Sequence, residues 1–523
     1  MSTPTIVWSI AGTDSGGGAG LAADQRAADA FNVHLCPVVA AVTAQNSRAV
    51  THVEPLSPAL IEAQLQALVD DMPPAVVKTG LLGGVAQVRV VARWIDRLRA
   101  QGPVALVVDP VLGASAGATF ADAETLAAYR DELVPRATVI TPNRREACEL
   151  LGEMGAMGDA DAASLPSLAR RLRALGAEAV CITGGDSADV GGDVLDWVAS
   201  AHAEGWLAAP RVATPNHHGT GCTYASSIAA ALGLGFVPAD AAVLAKMATA
   251  HALRQARAAG GGAGPVLAQF GFASDPTLMP RMTFGEAPNF LRMRLPAARP
   301  LGLYALVDNA ERVEQALAAG VRTVQLRIKT PDAPEAAWHA ALRCELLRSV
   351  QACRAAGAEL FVNDHWTLAR ELGAGGVHLG QEDLLALGDD GRKQLAASGL
   401  ALGVSSHSLW ELCRARGLAP RYIACGPVWP TLTKAMPWRP QGLHNLRWWC
   451  HMAGVPVVAI GGILSPDQVR DAASCQVDGV CVVRALGENP GKTVPALSLA
   501  LVEGRSTATS APVPAWPTPP LAA

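Results

Sequence analysis

The chain has 523 residues, half of them apolar; that is too much for one ordinary core, so two or three domains are expected. Its 42 Lys and Arg stand against 46 Asp and Glu, a net charge of −4 with no basic run, which argues against a nucleic-acid partner. The 11 cysteines are scattered with no CxxC pair, which argues against a disulfide framework or a zinc site and for a reducing, cytoplasmic setting.

The first ten residues, MSTPTIVWSI, lack the basic start and long apolar core of a signal peptide. From there to about residue 260, short apolar runs alternate with Ala/Leu/Arg-rich helical runs. TIVWSIAG, VALVVDPV, ATVITPN and EAVCITGG each end in polar or glycine-rich residues. This predicts a mostly parallel sheet with its loops gathered at the strand C-terminal ends. VLDWVASAHAEGWLAAPRV reads as a polar-tipped hairpin laid over the end of that sheet. The apolar stretch Tyr224–Val237 is short and rich in Gly, Ala and Ser; it predicts a buried helix and no membrane span. GGGAGP at Gly260–Pro265 breaks the pattern. The first domain is therefore set at 1–265, with a proline-containing linker over 266–299.

Eight strand candidates follow: LYALVD, RTVQLR, ELFVND, GGVHLG, ALGVSS, RYIACG, VPVVAIGG and DGVCVV. Eight βα units over residues 300–503 predict a compact (β/α)8 barrel, whose active site belongs at the strand C-terminal ends. The unusual polar residues fall there: Asp308, Arg327 with Lys329, Asn363 with Asp364, Gln381 with Asp383, Ser405, Thr431 and Gly461–Gly462. The Pro/Ala/Ser/Thr-rich stretch 504–523 is expected to be disordered.

Two segments carry chemistry. HHGTGCTYASSIAAAL (His217–Leu232) puts the turn Gly219-Thr220-Gly221-Cys222 before a long apolar helix. Backbone N–H groups at a helix start bind anions, and glycines admit phosphate closely. The helix end also favours a thiolate at Cys222, which can take a proton from an attacking hydroxyl. A structural helix start with a buried cysteine is an equally good reading of this turn alone. There is no GxxxxGK[ST], and GTDSGGGAG (Gly12–Gly20) lacks the GxGxxG spacing. In the second half, Gln325, Arg327 and Lys329 alternate onto one face and suit a diphosphate. Asp364 and Asp383 end consecutive strands, so their carboxylates can converge on Mg²⁺. TLTK (Thr431–Lys434) and the Gly461–Gly462 turn offer further phosphate partners.

AGTDSGGGAGLAADQRAADAF, AAVTAQNS, DPVLGASAG, TPNRREA and HGTGC occur in that order and resemble the hydroxymethylpyrimidine/phosphomethylpyrimidine kinases of the ribokinase-like group. The resemblance implies a ribokinase-like α/β sandwich and ATP as phosphoryl donor. It implies Cys222 as the catalytic residue, Gln45 and Asp24 for the pyrimidine, and Asp109, Asn143, Glu146, Gly219, Thr220 and Gly221 for ATP and Mg²⁺. Where that family has a lysine before a double glycine, this chain has Thr183.

VQLRIK, FVNDHWTLA, GVHLGQEDL, GVSSHS, GPVWPTLTKAMPWRPQGL and VVAIGGI resemble thiamine-phosphate synthase. That resemblance implies condensation of a pyrimidine diphosphate with a thiazole phosphate, releasing pyrophosphate. Gln325, Arg327, Lys329, Asn363, Ser405 and Lys434 would hold the pyrimidine diphosphate. Thr431, Thr433, Gly461, Gly462, Val483 and Arg484 would hold the thiazole phosphate, and Asp364 with Asp383 the Mg²⁺. Gly375 or Gly376 stands where the family often has Asp, and Arg484 where it has a serine-containing turn. The expected partners are small molecules, with self-association left open. The competing readings are a pyridoxal-type kinase in the first half and a thiazole tautomerase-like or regulatory barrel in the second.

Overall fold

The computed structural model describes residues 4–113, 120–153, 165–185, 192–288, 290, 300–431, 437–507 and 512–521. The chain divides into two compact units, Met1–Pro280 and Arg281–Leu521.

The first unit carries β1 (Ile6–Gly12), β2 (His34–Gln45), β3 (Val50–Pro55), β4 (Val76–Thr79), β5 (Ala105–Val108), β6 (Val139–Ile140), β7 (Ala179–Ile182), β8 (Asp193–Ala199) and β9 (Glu204–Pro210). They run in the order β9-β8-β7-β6-β5-β4-β1-β2-β3. The pairs from β2 through β1, β4, β5 and β6 to β7 are parallel. The strands β4 and β7 are buried at every residue, as a parallel sheet under helices demands. Helices Gly20–Ala30 and Thr220–Gly233 pack on this central region, with Pro238–Arg254 beside the second of them. In helix Thr220–Gly233 every residue from Thr223 to Ala231 is buried; its alanines and serines let it lie close to the strands.

The expected hairpin forms as β8 and β9, but it does not lie over the sheet's end. The strand β8 pairs antiparallel with β7 and β9 with β8, so the hairpin continues the sheet. Both of its faces are covered, since consecutive residues of each strand are buried; on one face the paired Trp197 and Trp206, both fully buried, meet edge-on at 5.1 Å. Such a pair adds about 0.5–1.5 kcal/mol beyond its buried area.

The described part of the stretch 266–299 is packed. Its residues up to Pro280 cluster with the first unit: Val266 and Phe272 are fully buried, and Phe272 packs on Phe31 at 4.8 Å. From Arg281 the chain clusters with the second unit. There the two-residue β10 (Arg281–Met282) precedes Phe284, whose ring lies under the guanidiniums of Arg392 and Arg414 at 5.3 and 5.2 Å. Residues 291–299 lie outside the described residues.

All eight expected barrel strands form: β11 (Gly302–Val307), β12 (Thr323–Leu326), β13 (Glu359–Asn363), β14 (Gly376–Leu379), β15 (Ala401–Ser406), β16 (Tyr422–Cys425), β17 (Val457–Ala459) and β18 (Gly479–Val482). They close into a parallel barrel in chain order, β18 pairing back onto β11. Tyr304, Phe361 and Tyr422 fill its interior. Two glycines make room for those rings. A Cβ at Gly376 would stand 2.7 Å from Phe361, and one at Gly403 would collide with Tyr422. Gly376 therefore has a packing reason in this chain.

The tail is not disordered throughout. The last helix runs Pro490–Thr507, and a further segment docks on the barrel. Thr518 donates through its backbone N–H (2.7 Å) and Oγ1 (3.0 Å) to Asn445 Oδ1, and Asn445 Nδ2 donates back to the Thr518 carbonyl at 3.0 Å. Polar tail composition concealed this, because the docking uses backbone groups. No helix among the described residues is long and apolar enough to cross a membrane.

Candidate active sites

A cavity of about 740 Å³ opens in the first unit, where the chain leaves the C-terminal ends of the parallel strands. Gln45, Asp109, Asn143, Glu146 and Gly219–Cys222 all line it. The turn before helix Thr220–Gly233 depends on a left-handed glycine, Gly219 at φ +85°. A Cβ there would run into the Gly18 carbonyl. Gly219→Ala should therefore cost about 1–2 kcal/mol of backbone strain and displace the turn. Kinase kcat/KM is expected to fall about tenfold or more, measured against an unchanged synthase rate.

Asp14 anchors the facing glycine loop. Its carboxylate accepts from the N–H groups of Gly16 (2.8 Å), Gly18 (2.9 Å) and Ala19 (2.8 Å), and faces His218 Nε2 at 2.9 Å. Burial opposes it, yet the His218 ring and these N–H groups hold the Asp14 carboxyl below its usual range. His218 in turn sits 3.3 Å from Gln45 Nε2, so one chain of contacts ties the loop to the cavity-lining Gln45. Sequence reading had singled out neither Asp14 nor His218.

Asp24 is not in the cavity lining. It is fully buried beneath it. Its carboxylate accepts from Ser9 Oγ (2.6 Å), Ser226 Oγ (2.8 Å) and Lys78 Nζ (3.0 and 3.1 Å). Lys78, also missed in the sequence, does line the cavity, and its Nζ lies 3.7 Å from Asp109 Oδ2. Despite burial, the charges of Asp24, Cys222 and Asp109 hold its ammonium above the usual range. Lys78→Met would leave Asp24 a buried, unpaired charge. A loss of roughly 3–5 kcal/mol is expected, read by denaturant unfolding of the first unit in the intact chain.

Cys222 is not the low-pKa thiolate that its helix end predicts. Burial pushes its thiol up to about 12; Lys78 and the Gly20 N–H pull down while Asp24 and Asp109 push further up. A helix terminus acts within one turn, and here the surrounding protein outweighs it.

Asn143 and Glu146 form a capping box at the start of helix Arg144–Leu150: each side chain accepts from the other's backbone N–H at 2.9 Å. Capping and cavity lining are thus the same act. Burial and then Asp109 push Glu146 up to about 8; burial, with Asp24 against Lys78, pushes Asp109 up to about 6. Asp109 Oδ2 is buried without a hydrogen-bond partner. Two crowded carboxyls with an orphaned oxygen fit a divalent cation, and Mg²⁺ needs only one or two carboxylates beside phosphate and water. Thr183 lines the same wall, and Lys246, 2.7 Å from Asp196, brings a buried ammonium to it.

The second unit holds a cavity of about 460 Å³ at the C-terminal mouth of the barrel. Gln325, Arg327, Asn363, Asp364, Asp383, Ser405, Thr431, Gly461, Gly462, Val483 and Arg484 all line it. Lys329 does not: it is exposed on the loop beyond β12. Thr433 and Lys434 lie outside the described residues. Asp364 adopts the left-handed conformation at φ +66°, which among residues with a side chain aspartate and asparagine enter most readily. Burial and then Asp383 hold its carboxyl above the usual range. Asp383, in the first turn of helix Gln381–Ala386, is held by the Gly380 N–H at 2.9 Å. These two carboxylates repel across the cavity and fit a cation between them. Gly461 and Gly462 are both left-handed, at φ +90° and +72°, and Cβ atoms there would stand 2.7 Å from Pro427 and 2.6 Å from Trp429.

Sequence reading missed a polar relay under this cavity. His378 meets Ser405 Oγ through Nε2 (3.0 Å) and the Tyr422 hydroxyl through Nδ1 (2.8 Å). Tyr422 pairs with the Tyr304 hydroxyl at 2.7 Å, which accepts from Gln325 Nε2 at 3.3 Å. Burial, then Arg327 and His407, push His378 down to about 3, so it is neutral at physiological pH. Alternating strand positions pointing into the barrel were the available signal.

Known proteins match both halves. The family described as phosphomethylpyrimidine kinase matches residues 14–267, and that described as thiamine monophosphate synthase matches 303–486. The "probable thiamine biosynthetic bifunctional enzyme, chloroplastic" of Oryza sativa subsp. japonica is 34% identical over 92% of this chain and 86% of its own. The hydroxymethylpyrimidine/phosphomethylpyrimidine kinase of Synechococcus elongatus is 42% identical over 51% of this chain and 97% of its own. The thiamine-phosphate synthase of Neisseria meningitidis serogroup A is 45% identical over 39% of this chain and 95% of its own. The chain belongs to the bifunctional thiamine biosynthetic enzymes. It is a transferase with two activities: a hydroxymethylpyrimidine/phosphomethylpyrimidine kinase in the ribokinase-like first half, and a thiamine-phosphate synthase in the barrel.

Proposed function

We propose that the first cavity transfers phosphoryl groups from ATP to the pyrimidine hydroxymethyl group and then to its monophosphate. The supporting observation is that Cys222, the Gly219–Gly221 turn and the orphaned Asp109 oxygen share one cavity. Gln45, steered by His218, hydrogen-bonds the pyrimidine. The turn's N–H groups receive the transferring phosphoryl oxygens. Cys222 sits where the attacking hydroxyl must lose its proton. Only the Cys222 thiolate can take that proton, and Lys78 with the Gly20 N–H favours this form against burial. Asp109 and Glu146 would hold Mg²⁺, which when bound supplies positive charge to the phosphates. Lys246 offers a cation on the wall where Thr183 replaces the family's lysine.

In the barrel, Gln325, Arg327, Asn363 and Ser405 hold the pyrimidine diphosphate, and Asp364 with Asp383 would hold its Mg²⁺. Thr431, the Gly461–Gly462 turn, Val483 and Arg484 hold the thiazole phosphate. The product of the first cavity after two phosphorylations is the diphosphate that the second consumes. The partners are small molecules, and a reducing cytoplasmic compartment suits eleven free cysteines.

The test is a single incubation of the purified chain with ATP, Mg²⁺, hydroxymethylpyrimidine and thiazole phosphate. Thiamine phosphate should appear by mass spectrometry and vanish when ATP is omitted. No product from this mixture, but product from supplied pyrimidine diphosphate, would remove the kinase assignment and leave the synthase standing.

A further inference from the structure

His407 directly follows β15, and its ring lines the synthase cavity. None of the roles assigned so far uses it. Glu411, one turn into helix Leu409–Leu418, accepts from the His407 backbone N–H at 2.6 Å and faces Nδ1 at 2.9 Å. Trp438 stacks on the ring, centroids 5.3 Å apart and planes within 10°. Gln441 Nε2 donates to the His407 carbonyl at 2.7 Å. Glu411 is 6% exposed, so its carboxylate is committed to this histidine. With Nδ1 occupied and one face covered, Nε2 is the ring's open polar atom, with no partner among the described residues.

The order of strands says what that atom meets. Around the mouth, Arg327 follows β12, Asp364 follows β13, Asp383 follows β14, and His407 follows β15. The carboxylate pair is thus flanked by a guanidinium on one side and an imidazole on the other. A diphosphate held at the pair through a bound cation would present two phosphoryl groups, one for each flank.

We infer that His407 is a diphosphate-binding residue of the synthase: its Nε2–H donates to the leaving diphosphate, with Glu411 and Trp438 as its positioning residues. A carboxylate at Nδ1 and a polyanion at Nε2 each call for a ring donor, and the imidazolium form is the one that supplies both. When the bond from the pyrimidine methylene to the bridging oxygen breaks, its electron pair stays on that oxygen. The hydrogen bond strengthens as the charge grows, which is where a donor lowers the barrier. The inference rests on the assignment of Asp364 and Asp383 to the diphosphate end.

The experiment compares His407→Asn with His407→Gln in the full chain, supplied with pyrimidine diphosphate, thiazole phosphate and Mg²⁺. Asparagine keeps a polar atom for Glu411 and leaves Nε2 empty; glutamine places an amide near Nε2. His407→Asn should lose about 100-fold in kcat, with an unchanged KM for thiazole phosphate and weaker inhibition by inorganic pyrophosphate. His407→Gln should recover much of both. Glu411→Gln, close in size to the native residue, should show the same pattern more weakly and guards against a folding defect in the histidine variants. Wild-type turnover in His407→Asn, or a loss confined to the thiazole phosphate KM with pyrophosphate inhibition intact, would overturn the inference. Asp364→Asn separates the two levels: if it leaves pyrophosphate inhibition intact, the diphosphate assignment itself is wrong.

Discussion

Cys222→Ala is expected to lower kinase turnover by about 10²–10⁴-fold, the range for losing a positioned proton acceptor, while the synthase runs at its normal rate. Alanine removes the sulfur and little else. The turn that precedes it depends on the left-handed backbone of Gly219, which the substitution leaves in place. Nucleotide affinity should therefore persist, and the loss should sit in kcat. Cys222→Ser makes the comparison sharper. A hydroxyl there occupies the same space but releases its proton far less readily, so it should resemble alanine in rate. Separate assays of the two half-reactions on one preparation check this, with the synthase as the internal measure of intact protein. Loss of both activities in a folded chain would refute separate sites.

The reverse result is expected for Asp364→Asn. Synthase turnover should fall about 10²–10³-fold, as when one preorganised electrostatic partner of a leaving group is lost, with kinase activity unchanged. Two causes act together. The substitution halves the carboxylate pair that the cavity offers a cation, and the deficit should show as a raised Mg²⁺ requirement. It also replaces a carboxyl whose crowding by burial and Asp383 is itself unfavourable. The folded barrel should consequently be no less stable. Asparagine tolerates the left-handed backbone at this position, so a collapse of the loop is not an alternative cause. A magnesium titration of both half-reactions is the measurement.

Much of the architecture was legible because short apolar runs bounded by glycine and polar residues mark buried parallel strands. The barrel's eight runs needed no long-range information. The edge hairpin did: only the structure shows that it continues the sheet and that consecutive residues Leu195–Ala199 are buried. The expected site residues that the structure brings to the two cavities are those at strand ends and in the glycine turn, where local spacing places them. Those missed converge from afar. Lys78 meets Asp24 across 54 positions, and Lys246 meets Asp196 across 50. Nothing in either neighbourhood announces an ion pair. The Cys222 thiol failed for a related reason: a local helix argument was overruled by burial, with Asp24 and Asp109 from other segments adding to it.

The docked C-terminal segment has a practical consequence. Asn445 is nearly fully buried, and besides Thr518 it holds Gln441 Oε1 at 3.0 Å. Anyone trimming the gene by composition would cut near residue 503, discard the final helical turn and leave that asparagine facing solvent. A purification handle is better placed at the other end of the chain.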